Sequence, residues 1–160
     1  MSLDITPYLA VTEAWDYFDT RLDSSDWECA DDEHRLKALK TATRLINRLK
    51  FRGVKFDLEQ VNEFPRDDNA LVPDDVKIAT CEIASVLLSA VDLELEMENL
   101  FTKSQSYASI NTGYDGSIVP DYLRAGIPSA VAWSYLRPYL FNPRTIRVNR
   151  IGDSNVCESL

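Results

Sequence analysis

The stretch Asp31-Asp32-Glu33-His34-Arg35-Leu36-Lys37-Ala38-Leu39-Lys40-Thr41-Ala42-Thr43-Arg44-Leu45-Ile46-Asn47-Arg48-Leu49-Lys50 decides the fold class. Leu36, Leu39, Ala42, Leu45 or Ile46, and Leu49 recur at three- and four-residue spacing, while Lys37, Lys40, Arg44 and Arg48 fall on other faces. Three acidic residues open the run, where the helix macrodipole is positive, and Arg48 and Lys50 close it with the matching sign. A helix is expected over 31–50. A buried Leu or Ile is worth about 1.5–3 kcal/mol, so the apolar stripe must face a core or a neighbouring subunit.

Upstream, Trp15, Phe18 and Leu22 follow Thr12 and Glu13 at helical spacing, which predicts a helix over 12–22 with Thr12 as its N-cap. Asp23-Ser24-Ser25-Asp26 breaks that pattern, and Trp27 is expected to fold back as a core plug. Downstream, Gly53 reads as a helix breaker, and the segment to Ala70 reads as a loop anchored by Phe64-Pro65-Arg66. Val72-Pro73-Asp74-Asp75 starts a third helix, with Pro73 in its first position. Val76, Ala79, Ile83, Val86, Leu87 and Ala90, widened by Ala84 and Leu88, give it a broad apolar stripe, so it is expected at the centre of the core. Leu93, Met97 and Leu100 continue the helical spacing. Leu93, Leu95 and Met97 also alternate with Glu94, Glu96 and Glu98 as a half-buried strand would, and helix is the favoured reading.

Residues 105–112, with Tyr107, Ser109 and Ile110 among small polar neighbours, suit a strand or arm, and Gly113-Tyr114-Asp115-Gly116 a turn. Ile127-Pro128-Ser129 opens a last helix through Val131, Ala132, Trp133, Tyr135, Leu136 and Tyr139, limited by Pro138. Arg144 to Ile151 alternates apolar Ile146 and Val148 with polar Arg147 and Asn149, the pattern of an extended strand that needs a partner. The expected architecture is mainly α: a small helical bundle with a short β hairpin or arm, a domain over 1–140, and an extended C-terminal arm over 141–160.

The chain has 160 residues, 45% of them hydrophobic, enough for one core. Its net charge of -9 is uneven: residues 1–100 carry 11 basic and 22 acidic side chains, and residues 101–160 carry 6 and 4. An acidic body resists non-specific nucleic-acid binding, which relies on Lys and Arg releasing counterions. No apolar run long enough to span a membrane occurs, and the opening MSLDITPYLA lacks a secretory layout, so a cytosolic origin without membrane contact is expected. Cys29, Cys81 and Cys157 fit neither a disulfide framework nor a CxxC site, and a single histidine argues against zinc. The run Arg66-Asp67-Asp68-Asn69 lacks the glycine and closing glutamate of a calcium loop. His34 among Asp31, Asp32 and Glu33 reads as a surface residue of a helix start rather than an acid–base site. No nucleophile elbow, P-loop or dinucleotide fingerprint occurs, so neither enzyme activity, cofactor nor metal is expected.

Two patterns bear on partners. Arg144, Arg147 and Arg150 recur every third residue, which suits an acidic protein surface or DNA; with Ile146, Val148 and Ile151 they form the expected partner-binding arm. Trp15, Trp27 and Trp133 could stack on bases, but stacking platforms sit beside a basic groove, and Trp15 and Phe18 have core spacing. Tyr107, Ile110 and Tyr114 are left as candidate subunit-interface residues.

Tyr8-Leu9-Ala10-Val11-Thr12-Glu13-Ala14-Trp15-Asp16-Tyr17-Phe18, leading to Arg21-Leu22 and Trp27, resembles the opening of a prophage-borne family labelled DnaT-like single-stranded DNA-binding proteins. Ala38-Leu39, Ala42-Thr43-Arg44-Leu45-Ile46, Leu49, Phe51-Arg52-Gly53, Gln60, Phe64-Pro65-Arg66 and Val72-Pro73 follow that pattern in order and spacing, over residues 8–90. Beyond residue 100 the resemblance thins to the 105–112 strand region and Pro138-Tyr139-Leu140, with 141–160 as an added arm. The family in turn resembles head–tail adaptor (connector) proteins of tailed bacteriophages. That resemblance implies a dodecameric ring beneath the portal, in the virion neck after assembly from host cytoplasm. The implied partners are further copies, the portal protein and a tail, tail-terminator or nozzle protein, with packaged DNA as an incidental contact. The label itself implies the alternative, a single-stranded DNA-binding replication accessory.

Overall fold

The computed structural model describes residues 5–89, 104–107, 110–113 and 120–141, with 104–107 and 110–113 described by their backbone. The protein is mainly helical: α1 (Val11–Phe18), α2 (Ser25–Cys29), α3 (Asp32–Asn47), α4 (Asp74–Leu88), α5 (Asp121–Arg124) and α6 (Ala130–Leu136), the last running into a 3-10 turn at Arg137–Tyr139. Strands β1 (Ser104–Tyr107) and β2 (Ile110–Gly113) pair antiparallel, with Tyr107 opposite Ile110 and Ser104 opposite Gly113. The strand expected near 105–112 is thus a two-stranded hairpin.

α4 is the axis of the body, as its stripe predicted. Val76, Ala79, Thr80, Cys81, Glu82, Ile83, Ala84 and Ser85 are all buried, so α3, α6 and the shorter α1 and α2 surround it. Pro73 is its N-cap in extended conformation (φ -58°, ψ 144°), one residue before the expected place. The proposed continuation over 93–100 lies outside the described residues.

α3 differs from expectation at both its face and its end. Its buried residues are Arg35, Ala38, Leu39, Ala42, Thr43 and Ile46, whereas Leu36 is 38% exposed. The inward face is turned by about one residue because Arg35 and Thr43 find partners inside: the Thr43 hydroxyl donates to the Leu39 carbonyl at 2.9 Å. Asp31 caps the helix by accepting the His34 N–H at 2.8 Å. The helix stops at Asn47 rather than Lys50 because the chain must open out there. Phe51 and Leu140 form an antiparallel bridge, Phe141 N–H donates to Lys50 O, and Arg52 N–H donates to Tyr139 O.

α1 starts after Ala10, not Thr12; Glu13 reaches back to accept the Ala10 N–H at 2.9 Å, one half of a capping box. It ends at Phe18, and Leu22, expected on its apolar face, is fully exposed. Arg21 is instead drawn to α4, as described below. The expected turn at 23–26 becomes the start of α2, which carries Trp27 into the core as a plug with no exposed surface. Trp27 stacks on Phe18 (centroids 4.4 Å apart, 19° between planes) and meets Trp15 edge-on at 6.1 Å. A second aromatic nest gathers on Phe64, touched edge-on by Tyr8, Phe51 and Tyr139 at 6.0, 4.7 and 5.7 Å. Such pairs add about 0.5–1.5 kcal/mol each beyond burial. Ser129 caps α6 through Ala132 N–H, so Ile127 and Pro128 precede the last helix as read, and Pro138 falls in the 3-10 turn where regular helix ends.

Candidate functional site

The side chains of chemical interest form three features: a pair of ion clusters beside α1, a pinned loop and a groove. Arg35 projects from the first turn of α3 into the aromatic nest around Trp27. Its Nε donates to the Trp27 carbonyl and Nη2 to the Glu28 carbonyl, both at 2.9 Å, while Nη1 meets Asp32 Oδ1 at 2.7 Å. The guanidinium also lies over the Trp15 ring, 4.5 Å from its centroid. A planar fork satisfies carbonyls at the end of α2 that helix geometry leaves unpaired. On the other side of α1, Glu82 of α4, 4% exposed, receives Arg21 Nε and Nη2 at 3.1 Å and the Tyr17 hydroxyl at 2.5 Å. Burial, then the hydrogen bond to Glu82, pushes the Tyr17 hydroxyl well above the usual tyrosine range.

These two groups answer the question raised by the aromatic content. The cations beside indole rings are held by carbonyls and carboxylates of the same chain, and the rings themselves are packed. They fasten α1, α2, α3 and α4 together and form no open stacking platform.

The second feature is the loop between α3 and α4. Arg66 gives four N–H bonds within it: to Arg52 O at 2.8 Å, Gly53 O at 2.7 Å, Glu63 O at 3.2 Å and Glu63 Oε2 at 2.7 Å. Asp67 sits in the left-handed region (φ 56°), and its carboxylate accepts the Val54 N–H at 2.9 Å. That carboxylate closes directly on Gly53 (φ 74°), where a Cβ would lie 2.1 Å from Asp67 Oδ1. Gln60 clips the loop by donating to Asn62 O and Pro65 O, and the Tyr8 hydroxyl, bonded to Asn47, accepts the Glu63 and Phe64 N–H groups. Phe64 is the buried anchor that the sequence predicted. Tied from within by these bonds, the loop turns Val54, Phe56, Leu58, Val61 and Leu71 outward, with Leu58 88% and Val61 76% exposed.

The third feature is a groove of about 380 Å³ between α1 and α4, floored by Leu9, Ile78 and Cys81 and rimmed by Glu13, Asp16, Asp74 and Lys77. Glu13 and Lys77 bridge it at 3.1 Å. Burial pushes the Cys81 thiol up to about 12, which leaves it protonated and unreactive at neutral pH. His34 is exposed and its ring meets the Asp31 cap at 2.7 Å, the surface role read for it. No group of three or more His, Cys, Asp or Glu side chains is placed to hold a metal ion among the described residues, and no helix among them is long and apolar enough to cross a membrane.

Of the residues singled out in the sequence, Tyr107 and Ile110 are brought together as the pair closing the β hairpin. Tyr114, Arg144, Ile146, Arg147, Val148, Arg150 and Ile151 lie outside the described residues. Arg66 belongs to the Phe64-Pro65-Arg66 anchor as read; the inward place of Arg35 and the outward apolar residues of the loop were not anticipated. Helical periodicity assigns an arginine to the solvent face by default, and isolated valines and leucines in a loop carry no periodic signal.

A family model described as "Putative DnaT-like ssDNA binding protein" matches residues 3–150. The chain belongs to this DnaT-like family. The match runs well past the 8–90 span and takes in the hairpin and residues 141–150, so the basic segment Arg144–Arg150 is part of the family's span rather than an addition to it. Comparisons with curated proteins and with solved structures give no match. The family description points to DNA interaction; in this DnaT-like chain Phe18 and Trp27 are buried and Arg21, Arg35 and Arg66 are engaged within the chain, while Lys37, Arg48, Lys50 and Arg52 are exposed.

Proposed function

We propose that this chain is a structural head-to-tail adaptor of a tailed bacteriophage, a subunit that acts by binding proteins and not by catalysis. Copies of it form a ring, dodecameric by resemblance, beneath the portal and join it to the tail. The observation that carries this reading is the loop between α3 and α4: a hydrogen-bonded frame that holds five large apolar side chains in solvent is a surface shaped for a protein neighbour. The acidic body and the internal use of Arg21, Arg35 and Arg66 support the same reading. The arm Arg144–Ile151 supplies the portal or tail contact, and the Tyr107–Tyr114 region supplies contacts between copies.

The test is electron microscopy of the full chain mixed with the portal protein of the same genome. An added ring of density is expected; bare portals beside a chain that elutes as a monomer would remove the reading. Binding of single-stranded DNA in replication is the second reading, and the family's description favours it. It requires a labelled oligonucleotide to be retarded at low salt, with affinity falling steeply as salt rises, whereas an adaptor leaves its mobility unchanged.

A further inference from the structure

We infer that the groove between α1 and α4 is a docking site for the chain's own residues 144–151. α1 and α4 run side by side in the same direction, because their ties advance together: Glu13 to Lys77, Tyr17 to Glu82, and Arg21 to Ser85. Asp74, in the first turn of α4, therefore marks one end of the groove, and Asp16, in the second half of α1, marks the other. Between them Leu9, Ile78 and Cys81 supply the apolar part of the lining, beside Tyr17 and the Glu13–Lys77 pair.

The segment has the complementary pattern. In an extended chain alternate residues share a face, so Arg144, Ile146, Val148 and Arg150 fall on one side: two apolar side chains flanked by two cations. Ile146 and Val148 meet the floor; Arg144 meets Asp74 and Arg150 meets Asp16. The end of the described chain gives the direction. The Tyr139 hydroxyl donates to Asp75 Oδ2 at 3.0 Å, beside Asp74, and Phe141 follows two residues later. Three further residues span about 10 Å when extended, so Arg144 is the first cation of the arm to follow the tie beside Asp74. A tether this short gives the chain's own segment a large advantage over a second copy at ordinary concentrations. The inference stands whichever partner finally takes the arm.

The experiment is limited tryptic digestion of the full chain, with cleavage after Arg144, Arg147 and Arg150 followed by mass spectrometry. Docking slows this cleavage relative to a free peptide of residues 142–160. Asp16→Asn/Asp74→Asn in the body and Ile146→Ser/Val148→Ser in the arm should each speed it about tenfold. Glu59→Gln/Asp68→Asn, an equal charge change elsewhere on the surface, should leave it unchanged. Wild-type cleavage as fast as that of the free peptide, or equal rates in the groove and control variants, would overturn the proposal. Protection that disappears on dilution would overturn it too, since it would place the arm of a second copy in the groove.

Discussion

Arg35 shows how one side chain can hold several elements. Replacing it with alanine removes the bonds to Trp27 O and Glu28 O and the cation over Trp15, leaving carbonyls without their donor inside the body. Each orphaned buried group costs about 1–3 kcal/mol, so Arg35→Ala should lower stability by about 2–4 kcal/mol in urea titration. Asp32→Asn, which touches only the exposed end of the same network, should stay below about 1 kcal/mol. Trp27 offers a companion test. Its indole N–H has no acceptor among the described residues, so Trp27→Phe should be tolerated far better than Trp27→Ala, which opens a cavity at about 3–5 kcal/mol. At the start of α3, the backbone N–H and then the ring of His34 hold the Asp31 carboxyl below the usual aspartate range. A depressed folded-state value means that this stabilisation is present above the ordinary aspartate pKa and is lost as pH falls through the lower folded value. Asp31→Asn should therefore flatten the acid side of a plot of Tm against pH, measured by circular dichroism, while leaving the shape near neutrality unchanged.

At the scale of elements, the loop between α3 and α4 separates shape from surface. Gly53→Ala places a methyl group against the Asp67 carboxylate at a positive φ, so it should disturb both the loop and the fold, seen as a lower Tm. Leu58→Asp/Val61→Asp alters only exposed side chains and should leave Tm within about 2 °C, since surface changes are usually small. The same variant should fail to add a ring to portals in electron microscopy. Equal ring formation by wild type and variant would show that this loop is not the contact. The helices themselves were legible where apolar spacing was long: α3 and α4 were found with their terminal charges, though Asp31 and Pro73 cap them rather than lie within them, and α4's central place followed from its broad stripe. What escaped was set by contacts remote in sequence. The end of α3 is fixed by Phe51 pairing with Leu140, and the inward turn of Arg35 by carbonyls of α2; neither has a local signature. α2 and α5 are too short for periodicity to mark them.

At the scale of the whole molecule, the named core lies within residues 8–136 and its outermost tie reaches Phe141. Removing 142–160 should leave the far-ultraviolet helical spectrum unchanged and abolish docking on the portal, if Arg144–Ile151 form the contact; undiminished docking would contradict that assignment. The candidate surface was less legible than the fold. The acidic body could be read from composition, and the arm lies outside the described residues; the loop's outward apolar residues became visible only once Arg66, Asp67 and Gln60 were seen to tie the loop from within.

That frozen loop has a thermodynamic corollary. Apolar side chains held outward invite copies of the protein to adhere to one another, and among the described residues none covers them. What opposes this is mutual repulsion among bodies of net charge -9, a long-range force that dissolved ions weaken. The Debye length shrinks from about 10 Å at 0.1 M salt to about 3 Å at 1 M. Self-association of this chain should thus grow with ionic strength, the reverse of what a phosphate-binding surface does, so its onset is set by the surrounding electrolyte.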